Sequence, residues 1–264
     1  MRLLDGFGAA AADRLLAARA RGPFQSVEAV QHRAGLTRAQ VEALANADAF
    51  ISLGLNRREA LWAAKALTAE APLPLFAKAA DDLPLFRETA PMLPTAPQSE
   101  AVIEDYRSLG LSLKDHPLTF LRAAYRREGL LSAAEVASLP DGAPVTTAGL
   151  VLVRQRPGTA KGVVFLTLED ETGIVNAVVW ADVMKTYRPV LMQSRLLLVR
   201  GKLQRSDTGA VPILHLVTAH LENRSDDLLA LSGNGNTPAS PGYRPVAHRH
   251  PRDVQIIPKS RDFH

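Results

Sequence analysis

TAGLVLVRQR (residues 147–156), VVFLTLE (163–169), IVNAVVW (174–180), LLLVRGKLQ (196–204) and VPILHLVTAHL (211–221) are five runs of β-branched and apolar residues. Turn-forming segments part them: PGTAKG (157–162), DETG (170–173) and SDTG (206–209). Such runs bounded by Gly, Asp and Pro read as short β-strands. Between the third and fourth, residues 181–192 carry helical spacing instead.

Five short strands with one helix between the third and fourth are the outline of an OB-fold, a small barrel that most often grips single-stranded nucleic acid. Alternation along the second strand puts Leu166 and Leu168 on one face and Phe165 and Thr167 on the other. The leucines read as core, which leaves Phe165 outward, where an aromatic ring can stack a base for about 1–3 kcal/mol. On the third strand Asn176, Val178 and Trp180 share a face. Trp180 reads either as a second platform or as a packing residue. Arg154, Arg156 and Lys161 gather at the first turn, and Arg200, Lys202 and Arg205 repeat the charge on strand four. These cations either neutralise phosphates, which makes binding salt-dependent, or form a solvated strand face.

Upstream, the first seventy residues are Ala- and Leu-rich with helical periodicity. Gly6-Phe7-Gly8 opens a helix there, with Ala12 and Leu15 following at helical spacing. Glycines at such a turn let the backbone approach a phosphate and aim free amides at it; an ordinary helix–helix turn has the same pattern. The division expected is a helical hairpin domain over 1–70, a Pro-rich linker over 71–98, a helical connector over 99–140, the barrel over 144–222 and a mostly disordered tail over 223–264. In the connector, Ser132 with Glu135 makes a capping box. The tail's middle, SGNGNTPASPG, is too poor in apolar residues to fold alone. The fold class is thus α+β and multidomain.

The chain has 264 residues, a formal charge of +4 and no cysteine. The charge permits an acidic partner without demonstrating one. The missing thiols exclude disulfides, zinc–cysteine sites and thiol nucleophiles, and suit a reducing cytoplasm. No apolar run approaches the ~20 residues of a membrane helix, and the N-terminus lacks a charged leader with an apolar core. His248, His250 and His264 lack carboxylate or cysteine partners that would complete a metal site. Asp81-Asp82 and Asp226-Asp227 read as solvated loop carboxylates. No phosphate-binding, dinucleotide or serine-nucleophile motif is present, and the sequence offers no catalytic residue.

Read in order, Gly6-Phe7-Gly8, GPFQSV (22–27), ADAFISLG with NRR (47–54 and 56–58), LSLKDHPL (111–118), the barrel and the terminal PKSRDFH (258–264) resemble the C-terminal region of bacterial C-family DNA polymerases. LSLKDHPL and the ending resemble the error-prone, damage-inducible branch, and the likeness runs through essentially the whole chain. The resemblance implies tandem helix-hairpin-helix motifs that grip duplex DNA through Gly6, Phe7 and Gly8. It implies a barrel that holds the single-stranded template in translesion synthesis, through Arg154, Arg156, Lys161, Phe165, Asn176, Arg200 and Lys202. The family's palm aspartates, which bind magnesium, fall outside the chain, and Met1 cuts the first hairpin motif. The expectation is therefore a fragment without cofactor or activity of its own. Leu73-Pro74-Leu75-Phe76 and Leu83-Pro84-Leu85-Phe86 resemble the end of sliding-clamp-binding peptides, which makes Leu75, Phe76, Leu85 and Phe86 candidate contacts to a clamp or other mutasome proteins. Two alternatives stay open: a partner-binding protein, and an RNA-binding module like the anticodon-binding domain of class II aminoacyl-tRNA synthetases. The latter's strand pattern resembles residues 165–170, with Asn176 at a polar reader's place.

Overall fold

The computed structural model describes residues 4, 6–67, 96–158, 162–206, 213–232 and the backbone of 261–262. Lys161 and the candidate clamp contacts Leu75, Phe76, Leu85 and Phe86 lie outside the described residues. The chain divides after Leu111 into two compact units.

The first unit holds α1 (Ala9–Ala20), α2 (Val27–Ala34), α3 (Arg38–Asn46), α4 (Arg57–Ala66) and α5 (Gln98–Leu109). Each break has a local cause. Ser26, Thr37 and Asn56 cap α2, α3 and α4, the last two as full capping boxes with Gln40 and Glu59. Gly35 and Gly54 end their helical segments in the left-handed conformation that a Cβ disfavours. Leu15, Val30, Val41, Leu44 and Phe50 are among the side chains buried between the helices. The GPFQSV segment is fixed by Arg33, which donates to the carbonyls of Ala18, Gly22 and Pro23 at 2.8, 2.9 and 2.8 Å. The same guanidinium lies 4.6 Å from the Phe24 ring centre.

Helix α5 corrects the expected boundary. Arg57 pairs with Asp105 and donates to the Ala101 carbonyl, and Arg58 pairs with Glu100 at 2.8 Å. These ties draw α5 into the hairpin unit, so 99–140 is not one connector. The partners are more than forty residues apart, beyond any local pattern.

The second unit contains α6 (Pro117–Arg127), α7 (Ala133–Ala137), β1 (Pro144–Gln155), β2 (Val164–Asp170), β3 (Gly173–Val179), α8 (Ala181–Gln193), β4 (Leu196–Ser206), β5 (Ile213–Asn223), α9 (Ser225–Ser232) and β6 (Arg261–Asp262). The strand order β2-β3-β5-β4-β1-β6, with β2 also pairing β1, closes the first five strands into the barrel expected from sequence. Strand β1 pairs with β4 over Pro144–Leu150 and with β2 over Leu150–Gln155. At the changeover Gly149 lies so near β2 that a Cβ there would stand 2.9 Å from Leu168 Cβ. Gly201 sits at a bulge between β4 and β5, where a Cβ would collide with the Val217 carbonyl. Helix α8 bends at Tyr187, two residues before Pro189.

One carboxylate ties the helices to the barrel. Asp170 accepts from the Thr172 amide and hydroxyl, both at 2.7 Å, and from the Gly173 amide at 3.1 Å, closing the DETG turn. It also accepts from the Ala133 amide at the start of α7 and from Arg122 of α6, each at 2.8 Å. Arg122 pairs in addition with Glu171. The LSLKDHPL segment starts α6: Asp115 accepts from the His116 amide and the Thr119 hydroxyl, His116 Nδ1 accepts from the Leu118 amide, and Pro117 takes the first helical position.

The chain does not turn irregular at Asn223. Ser225–Ser232 form α9, with Leu228 buried, and Tyr125 donates to Asp227 at 2.8 Å. The expected disordered tail is corrected over these residues. Three leucines behind Ser225 supply an apolar face that its polar neighbours obscured, and the Ser225 hydroxyl accepts from the Arg195 amide at 2.8 Å.

Burial holds the His116 imidazole below its ordinary pKa of 6.5. The unfolded chain therefore binds the extra proton first, so this contribution to stability is whole above pH 6.5 and is lost as pH falls through the folded value. His116→Asn keeps a capping acceptor and removes the titration. Urea unfolding of this variant should show a flatter loss of stability on acidification from pH 6.5 than the parent.

Candidate nucleic-acid interface

On the sheet formed by β2, β3 and the second half of β1, cross-strand pairing fixes which side chains share the outer face. Phe165 stands opposite Gln155 on β1 and Val178 on β3; Thr167 stands opposite Val153 and Asn176. Leu166 and Leu168 point into the core at 1% and 2% exposure, whereas Phe165 is 38% exposed. The Thr167 hydroxyl donates to Asn176 Oδ1 at 3.2 Å. That bond holds the amide and leaves its NH2 available to an acceptor. Ile174 and Trp180 add exposed apolar surface, Trp180 as the N-cap residue of α8. Burial and the neighbouring Asp170 push the Glu169 carboxyl above its usual range. The face thus presents a ring, an amide and apolar side chains, with the Glu169 carboxyl at one end and Arg156 exposed just beyond β1.

Arg154 is not part of it. The side chain is 6% exposed and donates to the carbonyls of Leu191 and Ser194 at the end of α8, the former at 2.7 Å. The cause is a bulge. Val151 pairs with Leu168, and continued pairing would bring Arg154 opposite Phe165 and outward. Instead the next pair is Val153 with Thr167, one residue of β1 is extra, and Arg154 comes opposite the buried Leu166. Arg154 is a structural cation at a helix C-terminus, not a phosphate contact.

Arg200 and Lys202 are exposed, but on the other sheet: β4 pairs with β1 and β5 and never with β2. They stand opposite Thr146 and Pro144, so the structure does not gather them with Phe165 and Asn176. Arg205 is tied to the connector, its amide donating to Asp141 Oδ1 at 2.8 Å. In the hairpin unit Gly6 is exposed with a φ of 77°, and Gly8 is exposed at the start of α1, where no side chain caps the helix. Phe7 between them is 6% exposed and packs in the core, so it anchors the turn and its ring does not face a ligand. Among the described residues no group of three or more His, Asp or Glu side chains could hold a metal ion, and no helix is long and apolar enough to cross a membrane.

Sequence reasoning missed the Thr167–Asn176 bond and the hub at Asp170. Strand alternation together with turn length could have found the first: DETG fixes the β2–β3 register, and residues equidistant from it face each other.

Together these features define a protein with two modules of nucleic-acid-binding type, a helical hairpin unit and an OB barrel. The family model described as "Helix-hairpin-helix motif" matches residues 1–60, and that described as "OB-fold nucleic acid binding domain" matches residues 145–222. An error-prone DNA polymerase of Rhodopseudomonas palustris (strain BisB5) is 46% identical over 268 residues, covering 96% of this chain and 24% of that protein. One from Bradyrhizobium sp. (strain ORS 278) is 47% identical over 270 residues, 96% of this chain and 23% of the relative. The counterpart in Brucella abortus biovar 1 (strain 9-941) is 45% identical over 264 residues, 100% of this chain and 24% of the relative. Among solved structures, asparaginyl-tRNA synthetase from Pyrococcus horikoshii is 28% identical over 35% of this chain and 22% of that one, with a TM-score of 0.30. The chain belongs to the error-prone branch of the bacterial C-family DNA polymerases and corresponds to that family's C-terminal region. It spans about a quarter of the length of the curated relatives it matches.

The two arginines at the end of β1 separate structure from surface. Arg154→Ala leaves two carbonyls without their donor and should cost about 1–3 kcal/mol in urea unfolding. Arg156→Ala, at an exposed site, should stay within about 0.5 kcal/mol of the parent.

Proposed function

We propose that this chain is the DNA-holding part of an error-prone polymerase, with the hairpin unit on duplex and the barrel on the single-stranded template. The observation that carries the barrel's role is the outer face of β1–β2–β3. Phe165 presents a ring, and the Thr167-held Asn176 presents donors beside it. A ring stacks any base and an amide NH2 meets the acceptors on base edges, so the face suits unpaired nucleotides better than a duplex exterior. Gly6 and Gly8, exposed around the buried Phe7, offer backbone amides to a duplex phosphate without a Cβ in the way. The polymerase relatives support DNA as the ligand, and a cytoplasmic location agrees with that reading.

Nucleotide transfer is assigned to the remainder of the polymerase. Two-metal phosphoryl transfer needs clustered carboxylates to hold magnesium, and the chain spans only about a quarter of its polymerase relatives' length. The sliding clamp stays a candidate partner through the two Leu-Pro-Leu-Phe segments.

A salt titration of fluorescent oligonucleotide binding to the whole chain tests the barrel's role. Phe165→Ala should weaken binding by about 1–3 kcal/mol with the salt slope unchanged, because stacking releases no counterion. Arg156→Ala should lower the slope by about 0.7, the single-strand value for one phosphate. Parent-like binding by Phe165→Ala would remove this face from the account.

The purified chain, incubated with primed template, magnesium and all four nucleotides, should extend no primer. Extension that survives removal of contaminating polymerase would overturn the assignment of chemistry elsewhere.

A further inference from the structure

Leu150 is the last residue of β1 paired with β4, and it is also the first paired with β2. The two partners therefore lie on opposite edges of β1. The Val151 amide still donates to the Arg195 carbonyl just before β4, at 2.9 Å, and beyond it the edge that faced β4 has lost that neighbour. An open edge presents a row of unpaired backbone donors and acceptors, a template for any extended segment. The structure seats one there: β6 runs parallel to β1, with Arg261 in register with Val153 and Asp262 with Arg154. Since β2 holds the other edge at these positions, β6 occupies the vacated one.

We propose that residues 152–155 of β1 form a strand-docking surface, and that its resident occupant is the terminal PKSRDFH segment of the same chain. Backbone pairing supplies the attachment, so recognition needs an extended segment and not a pocket. Parallel pairing demands a long crossover, and the residues between α9 and β6 provide far more than the dozen needed. Charged residues in the segment, Lys259, Arg261 and Asp262, discourage edge-to-edge addition of further chains. This segment thus caps an open stretch of the barrel's edge, and any partner strand that uses this edge must displace it.

Hydrogen exchange read residue by residue tests this. Three proteins are compared: the full chain, the chain ended at Ser232, and the full chain with Arg261→Pro and Asp262→Pro. Proline removes the edge donors without touching the barrel. In both altered proteins the β1 amides of 152–155 directed away from β2 should exchange at least about tenfold faster, with β2 and β3 amides unchanged. A synthetic peptide of residues 258–264 should restore their protection in the shortened chain. Equal exchange at these amides in the parent and the double-proline chain would overturn the proposal. So would failure of the peptide to protect the shortened chain while its β2 and β3 amides stay slow.

Discussion

Strand β1 has to belong to two sheets, and most of the second unit depends on how it does so. Its first half pairs with β4 and its second half with β2, so the strand must cross from one sheet to the other without breaking. Two local devices make this feasible. Gly149 lets the backbones of β1 and β2 approach where a side chain would collide, and the bulge between Val151 and Val153 adds a residue and turns the strand. The bulge reverses the phase of the residues beyond it. Val153 and Gln155 face outward beside Thr167 and Phe165, and Arg154 goes in. Once inside, the guanidinium finds the carbonyls at the end of α8, the helix that spans the barrel between β3 and β4. The composition of the outer face and the anchoring of α8 are thus two results of one extra residue.

The connector is bound to the barrel by a different kind of constraint. Asp170 and Arg122 are both nearly inaccessible to solvent, and a charge in such a place is costly unless paired and hydrogen-bonded. Asp170 meets this with donors from its own turn, from the start of α7 and from Arg122. Because the same carboxylate closes the β2–β3 turn and caps α7, the turn cannot form correctly while the helices are misplaced. Such a pair contributes more to a single arrangement than to net stability. It also fixes the β2–β3 register, and with it the Thr167–Asn176 bond farther along that hairpin.

Much of this architecture is legible in the sequence, and the limits are physical. The five strands and their helix are visible because alternation and turn residues are local signals, and they hold wherever the strand is regular. Phe165 outward and Leu166 inward follow from that alternation. Arg154 defeats the same reasoning: alternation assumes a constant phase, and a bulge marked by no Gly or Pro breaks it silently. Phe7 reads with its glycine neighbours as one ligand-facing turn, but only the glycines are exposed. A phenylalanine in a small helical unit yields more by burial than a loop position suggests. Arg200 and Lys202 group with Phe165 by charge alone. Barrel order, which separates β4 from β2, is a long-range fact. The same holds for α5, whose place is set by Arg57 and Arg58 more than forty residues upstream.

Under the proposed function, a binding face with few charges has consequences for a polymerase part. Phosphate contacts supply most nonspecific affinity for nucleic acid and weaken steeply with salt, whereas stacking changes little. A face with one ring, one held amide, one carboxyl and a neighbouring arginine would give shallow salt dependence and low intrinsic affinity. If the module holds the template as proposed, the template must move past it by one nucleotide per step, and low affinity is then an advantage, since a tight grip on each base would add to the barrier for translocation. Attachment to a hairpin unit in the same chain offsets the weakness, because the second contact is then made at high effective concentration. Under the proposed function, the cations on β4 need not touch the same nucleotides as Phe165. Set on the other sheet, they bias the approach of a polyanion over the barrel surface while leaving the β1–β2–β3 face free to exchange one base for the next.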